Sequence, residues 1–267
     1  MGVLGEQVAA PQAYSPEILE AIPRELGRAA LGVEPNAVFH GGDAWHLYEV
    51  SWLNSQERPQ HRVGVLTIPA SSPNTVESKS LKLYLNSLNF HEFVSDEHAE
   101  HRICADLEAV VGSAVSLVLM GANELSAITV KGPIELLEHT VSAPLSGPSD
   151  LSELIDSASG TVQLRLGSHH LRSLCPVTGQ PDWATWVMDY RGPAIKCEVL
   201  LAYIESFREH QEYHEQCVER QFTEILKASG AEYLSIGAFY QRRGGIDITP
   251  WRSTEVFMPP LDRLDRQ

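Results

Sequence analysis

The segment YLNSLNFH, Tyr84–His91, can be laid on YIESFREH, Tyr203–His210, at a constant offset, with tyrosine, serine and histidine identical. Self-similarity at this spacing points to a duplicated structural unit. Further along, the match thins to Glu100 on Glu219 and Leu107 on Leu226. The competing reading is one α+β domain with a coincidental likeness.

The flanks of the two segments favour duplication. Ahead of the first copy stand two strand-like runs, Ala44–Trp52 and Arg62–Pro69, the second (RVGVLTIP) rich in β-branched residues. Ser71–Asn74 is turn chemistry, and from Glu77 the residues Leu81, Leu85 and Leu88 recur at helical spacing. A second helix is predicted from Asp96 to Gly112, with Asp96 as its cap and Ile103, Leu107 and Val110 on one face. Ala114–Met120 and Ala127–Lys131 read as strands, so the first half is ββααββ. SAPLSGPSDLS, Ser142–Ser152, is the linker. After it the order recurs: strands at Thr161–Leu166 and Ala184–Tyr190, two helices within Ile195–Ala228, strands at Tyr233–Gln241 and Ile246–Ile248. The expectation is an α+β protein of two units, residues 1–145 and 146–267, behind a polar leader, Met1–Asn36, that wraps the surface.

Composition narrows the function classes. Against 20 Lys and Arg stand 35 Asp and Glu, a net charge of −15, which argues against a broad nucleic-acid surface but leaves room for a local basic site. The four cysteines, 104, 175, 197 and 217, form no C-x-x-C pair and are too few for a disulfide scaffold. No basic region followed by an apolar run opens the chain, and no stretch of about 18 apolar residues occurs. A cytoplasmic protein with reduced thiols and no membrane partner is expected.

Four segments could carry chemistry. In LCPVTGQPDW, Leu174–Trp183, two prolines and a glycine force an irregular connection rather than a strand. Cys175 there is either an aimed nucleophile, with Asp182 folded back to donate a proton, or a buried small hydrophobe beside a turn. In EYHEQCVER, Glu212–Arg220, His214 and Glu215 point about 100° apart on a helix, though an end-of-helix position lets both reach a cleft. A carboxylate there can accept from the N1–H and 2-amino edge of a guanine-type base; the alternative is a solvated helix face. His210 and His214 have the i, i+4 spacing of a metal pair but no evident third ligand, so no metal is expected. VESKSLKLY, Val76–Tyr84, offers exposed N–H groups and two lysines at a turn-to-helix junction, and QRRGGIDITPW, Gln241–Trp251, offers Arg243 and Gly244 between strands. Both suit an anion, and both also read as an ordinary basic helix start and a hairpin turn.

Together these segments resemble the NADPH-dependent 7-cyano-7-deazaguanine reductases, the QueF-type nitrile reductases of queuosine biosynthesis and hence of tRNA modification. ESKSLKLYLNS (Glu77–Ser87) looks like the family's signature helix, LCPVTGQPDW its nucleophile loop, YHEQCVER its substrate-reading helix and QRRGGIDITPWRS its cofactor segment. A signature helix in the first half with the cysteine in the second is similar to the long, tandem form. The resemblance implies two tunnelling-fold (T-fold) domains, each ββααββ, with antiparallel sheets, paired helices on one face, and a homodimer. It implies a thioimide on Cys175, protonation by Asp182, and a proton-handling or positioning role for His214. Base recognition would fall to Glu215 and His214 and, from the other domain, to Val76, Glu77 and Ser78; NADPH would be held by Ser78, Lys79, Arg243 and Gly244. Two alternatives stand beside it: a zinc-dependent GTP cyclohydrolase-like T-fold enzyme, and a purine-binding protein that keeps the fold without the chemistry.

Overall fold

The computed structural model describes residues 11–33, 39–121, 134–141, 150–256, 263–264 and 267. The first half runs β1 (Ala21–Pro23), α1 (Arg24–Ala30), β2 (His40–Leu53), β3 (Pro59–Pro69), β4 (Asn74–Val76), α2 (Ser78–Ser87), α3 (Asp96–Val111) and β5 (Ser116–Met120). Two short pieces follow, β6 (Glu135–Leu136) and α4 (Leu137–Thr140). The second half is β7 (Thr161–Ser168), β8 (Arg172–Leu174), β9 (Pro181–Pro193), α5 (Cys197–Glu205), α6 (His214–Ser229), β10 (Tyr233–Tyr240) and β11 (Ile246–Ser253). The expected strand at Ala127–Lys131, the boundary between residues 145 and 146 and most of the linker lie outside the described residues.

The protein is α+β. One sheet carries both halves in the order β5-β3-β2-β11-β10-β9-β7-β6, antiparallel except for β6 on β7, with β8 paired to β9. The halves join where β2 pairs with β11, from Ile246 opposite Leu47 to Ser253 opposite His40. Four of the helices, α2, α3, α5 and α6, lie over one face in two pairs. Under α2 and α3, Leu81, Leu85, Ile103 and Leu107 pack on Trp45, Leu47, Leu66 and Ile68 of β2 and β3. Under α5 and α6, Leu200, Ile204, Val218 and Ile225 pack on Trp186, Met188, Ile236 and Ala238. Strand alternation and helical spacing thus deliver apolar side chains to the same layer. No helix among the described residues is long and apolar enough to cross a membrane.

The repeated segments occupy equivalent places. Each of α2 and α5 runs into a 3-10 turn and then an extended histidine, His91 or His210. The Tyr84 hydroxyl donates to Asp106 at 2.6 Å, and the Tyr203 hydroxyl to Glu224 at 2.7 Å. Ser87 and Ser206 each donate to the carbonyl of the tyrosine three residues back. The helices that follow both end on a left-handed glycine, Gly112 and Gly230. The downstream alignment needs correction, because the connection between the helices is one residue shorter in the second half. Leu107 therefore corresponds to Ile225, not Leu226, and Glu219 has no glutamate counterpart at position 100.

Two further expectations change. Ser95, not Asp96, caps α3: its side chain accepts from His98 N, while Asp96 pairs with Arg62 at 2.7 Å. The leader is more than a surface wrap. β1 pairs with β4, and Arg24 is buried in an ionic network with Asp43 at 2.5 Å. Arg252 bridges Asp43 (2.8 Å) to Glu219 (3.0 Å), and Arg28 reaches Glu219 at 2.7 Å. Every member except Arg28 is at least 96% buried, so the leader and both halves share one desolvated charge cluster.

Candidate active site

Cys175 sits in a loop that its own backbone closes. Its N–H donates to the Gln180 carbonyl and its carbonyl accepts from Gly179 N–H, both at 2.9 Å. The irregular connection expected here ends at Gln180. Pro181 opens β9, a position where its missing N–H is tolerated. Ser173 lies opposite Asp182 across the hairpin, so the cysteine and the carboxylate stand at the two ends of one loop. Burial pushes the thiols of Cys104, Cys197 and Cys217 up, Cys217 to about 12, and none of the three lines the cavity described below.

Asp182 is 4% exposed and holds two nitrogen partners. His214 Nε2 is 3.2 Å from one carboxylate oxygen, and the Arg243 guanidinium bonds the other. Burial pushes the carboxyl up, but hydrogen bonding and charge from His214 and Arg243 outweigh it and hold Asp182 below its usual range. His214 is the first residue of α6 and stacks on Tyr240, with ring centroids 3.8 Å apart and planes at 11°. Because α6 begins there, His214 and Glu215 both line the cavity despite pointing in different directions.

Glu215 is buried at 5% exposure and accepts from the Thr75 hydroxyl at 3.1 Å. Burial, and then the nearby Asp43 carboxylate, raise its carboxyl above the usual range against the pull of Arg24 and His214. It is a desolvated acceptor at the cavity edge. Val76, Glu77 and Ser78 face it from the first half. The Glu77 carboxylate caps α2, accepting from Lys79 N at 2.9 Å and Ser80 N at 2.7 Å. This corrects the idea of exposed N–H groups at this helix start: their anion is Glu77 itself.

The basic wall consists of side chains. Lys79, Lys82 and Arg243 line the cavity, in a chain of net charge −15. Arg243 and Ile246 exchange backbone hydrogen bonds around Gly244 and Gly245, whose φ values of +61° and +83° make a type I′ turn. A Cβ on Gly244 would lie 2.8 Å from Lys82 Nζ, so the turn from the second half rests against α2 of the first. Three cations beside a close-approaching backbone fit a polyanionic cofactor such as a phosphorylated dinucleotide.

Cys175, Asp182, His214, Glu215, the α2 start and the basic wall border one cavity of about 460 Å³, between the Cys175 loop, the α2 and α6 N-termini and the β10–β11 turn. Every residue predicted from sequence for the site lines it. The sequence reading missed Thr75 as a donor to Glu215 and Tyr240 as the ring beneath His214, because neither belongs to a chemically suggestive segment. Among the described residues, no group of three or more His, Cys, Asp or Glu could hold a metal ion.

Residues 10–119 match the family model described as nitrile reductase, 7-cyano-7-deazaguanine-reductase N-term, and residues 181–257 match that of QueF-like protein. The NADPH-dependent 7-cyano-7-deazaguanine reductase of Xanthomonas campestris pv. campestris (strain 8004) is 43% identical over 258 residues, 97% of this chain and 94% of the relative. The protein of the same name from Stenotrophomonas maltophilia (strain K279a) is also 43% identical over 258 residues, 96% and 94% of the two chains. A solved structure, archaeosine synthase QueF-Like in the apo form, aligns over 38% of this chain and 98% of its own at 17% identity, with a TM-score of 0.32.

Proposed function

This chain belongs to the NADPH-dependent 7-cyano-7-deazaguanine reductase family, and from that premise we propose that it reduces the nitrile of 7-cyano-7-deazaguanine to the aminomethyl group through a covalent thioimide on Cys175. The observation that carries the reading is the convergence of Cys175, Asp182, His214, Glu215 and a basic wall on one cavity.

Cys175 Sγ bonds to the nitrile carbon, one π bond opens, and the thiol proton passes to nitrogen. Asp182, at the other end of the same loop, carries that proton, with His214 holding its carboxylate in place. NADPH supplies hydride, and a four-electron change from nitrile to amine requires two equivalents. Glu215 accepts from N1–H and the 2-amino group, with Thr75 orienting it. Val76, Glu77 and Ser78 close the base pocket from the first half, Glu77 by fixing the α2 start. Ser78, Lys79, Arg243 and Gly244 hold the cofactor. We extend the reading to a cytoplasmic homodimer acting in queuosine biosynthesis, built from T-fold domains at residues 1–145 and 146–267.

The test is to mix the protein with 7-cyano-7-deazaguanine and follow NADPH absorbance. Two NADPH should be consumed per amine formed. Without NADPH, the nitrile should add its mass at Cys175, and Cys175→Ala should lose both adduct and turnover. An adduct on Cys104, Cys197 or Cys217, or none, would overturn the assignment.

A further inference from the structure

Arg243 has two claims on it. Its guanidinium bonds Asp182 through one nitrogen and Gln180 Oε1 through another, yet its side chain is 41% exposed where Asp182 is 4% exposed. It also stands on the cavity's basic wall with Lys79 and Lys82. We propose that Arg243 is shared between two anions: it holds Asp182 while the cofactor groove is empty and turns to the cofactor's phosphates when the groove fills, so that cofactor binding makes Asp182 a readier proton donor. This rests on the functional reading above.

The two partners differ in freedom. Asp182 is anchored in β9 and held by His214, which is itself fixed against Tyr240. The backbone of the Arg243 turn is pinned at both ends, by Arg243 N to Ile246 O at 2.9 Å and Ile246 N to Arg243 O at 3.3 Å. Only the long side chain of Arg243, reaching from solvent, can change partner without moving a strand. The groups that act on Asp182 are His214 from α6, and Tyr240 and Arg243 from β10 and its turn, with Cys175 of its own hairpin lining the same cavity. Lys79 and Lys82 of α2, with Glu212, Tyr213 and Glu215 around the α6 start, border the same cavity. With Arg243 withdrawn, Asp182 keeps its contact with His214 Nε2.

This order of charge suits the order of chemistry. Addition of the thiol to the nitrile moves one proton from sulfur to nitrogen, with no net gain or loss. An ionised Asp182 accepts it from sulfur and returns it. The first hydride on the thioimide carbon, with one proton on nitrogen, would leave carbon bonded to both nitrogen and Cys175 Sγ. The C–S bond then breaks, and the N–H proton returns to the departing sulfur. The imine so released takes the second hydride on carbon and a second proton on nitrogen, each of the two protons coming from Asp182 and being replaced from solvent. The first step needs an acceptor before cofactor is required, and the later steps need a donor when cofactor is present.

The test uses the oxidised cofactor, NADP+, which has the phosphates but no hydride to give. The rate of adduct formation at Cys175 is measured by intact-protein mass spectrometry across acid pH, with and without NADP+ at a concentration shown by calorimetry to saturate. The acid limb of the wild-type profile should move up by about 1 pH unit with NADP+, the effect of withdrawing one adjacent cation from a carboxylate. In Arg243→Ala the limb should already be high and insensitive to NADP+, while Arg243→Lys should keep part of the wild-type response. Saturating NADP+ that leaves the wild-type limb in place, or a failure of NADP+ to bind, overturns the inference. Absence of any adduct at Cys175 overturns the functional reading beneath it and is visible before any pH comparison.

Discussion

Glu215 shows how a single residue trades stability for recognition. Its carboxyl is raised in the folded protein by burial and by Asp43. A carboxyl raised above its unfolded value contributes stability that is whole below the ordinary glutamate range and is lost as pH rises through the raised value. The buried Glu215 carboxyl therefore costs the empty protein stability at neutral pH. Glu215→Gln should raise the melting temperature of the ligand-free protein at neutral pH and change it little in acid. The same variant should weaken nitrile binding about tenfold or more, because a charge-assisted pair of about 1.5–3 kcal/mol is lost. Calorimetric titration beside thermal melts reads both; unchanged affinity would return Glu215 to a packing role. Asp182→Asn keeps the shape but cannot deliver an acidic proton, so turnover should fall by about 100-fold or more while nitrile affinity changes less. Near wild-type turnover would move the proton to His214.

Among the elements, the loop between β8 and β9 has a twin between β2 and β3. Leu53 N donates to His91 O as Leu174 N donates to His210 O, each at 2.8 Å. Asn54 N bonds Arg58 O and Glu57 N bonds Asn54 O, as Cys175 does with Gln180 and Gly179. Even the positive φ recurs, +55° at Glu57 and +66° at Gly179. The position of Cys175 is thus filled in the first half by Asn54, which carries no thiol. One adduct per chain is the expected limit when protein saturated with nitrile is weighed; two would place a nucleophile where this correspondence finds none. The α2 start makes a separate prediction. Glu77→Ala removes the cap from Lys79 N and Ser80 N, and should cost about 1 kcal/mol in equilibrium unfolding. Full stability in that variant would mean that water or a neighbour replaces the carboxylate.

At the scale of the whole molecule, the buried ions join what the sheet alone would leave as two neighbours. Asp43 comes from β2, Arg252 from β11, Glu219 from α6, and Arg24 and Arg28 from the leader helix. Burial pushes the Asp43 and Glu219 carboxyls up, but the arginines prevail and hold both below their usual range. Stability from a depressed carboxyl is present above its unfolded value and lost as pH falls through the folded one. Asp43→Ala leaves Arg24 and Arg252 buried without that partner and should cost about 3–5 kcal/mol. Denaturant titrations from neutral to acid pH should show the gap between wild type and variant close as the wild-type carboxylates protonate. A gap that stays constant with pH would assign the loss to packing rather than charge.

Much of this was readable along the chain because periodicity is local. Alternation in RVGVLTIP and helical spacing at Leu81, Leu85 and Leu88 report which face is buried whatever lies opposite. Cys175 and Asp182 share one short loop, and His214 and Glu215 one helix start, so their nearness is also a short-range property. Four things required the tertiary structure. The charge cluster draws on the leader and both halves, and no spacing pairs Arg24 with Asp43 or Arg252 with Glu219. The Arg243 contact with Asp182 depends on two loops set side by side by the pairing of β9 with β10. The one-residue offset between the repeats hides in a connection where only the following helix shows which residues correspond. The N–H groups that looked open at α2 are capped by Glu77, a choice made when the helix folds back on its own first residues. Burial pattern is written in sequence because each side chain responds to its neighbours along one element; partner choice between charges is not, because Coulomb energy depends on distances that only the assembled layers establish.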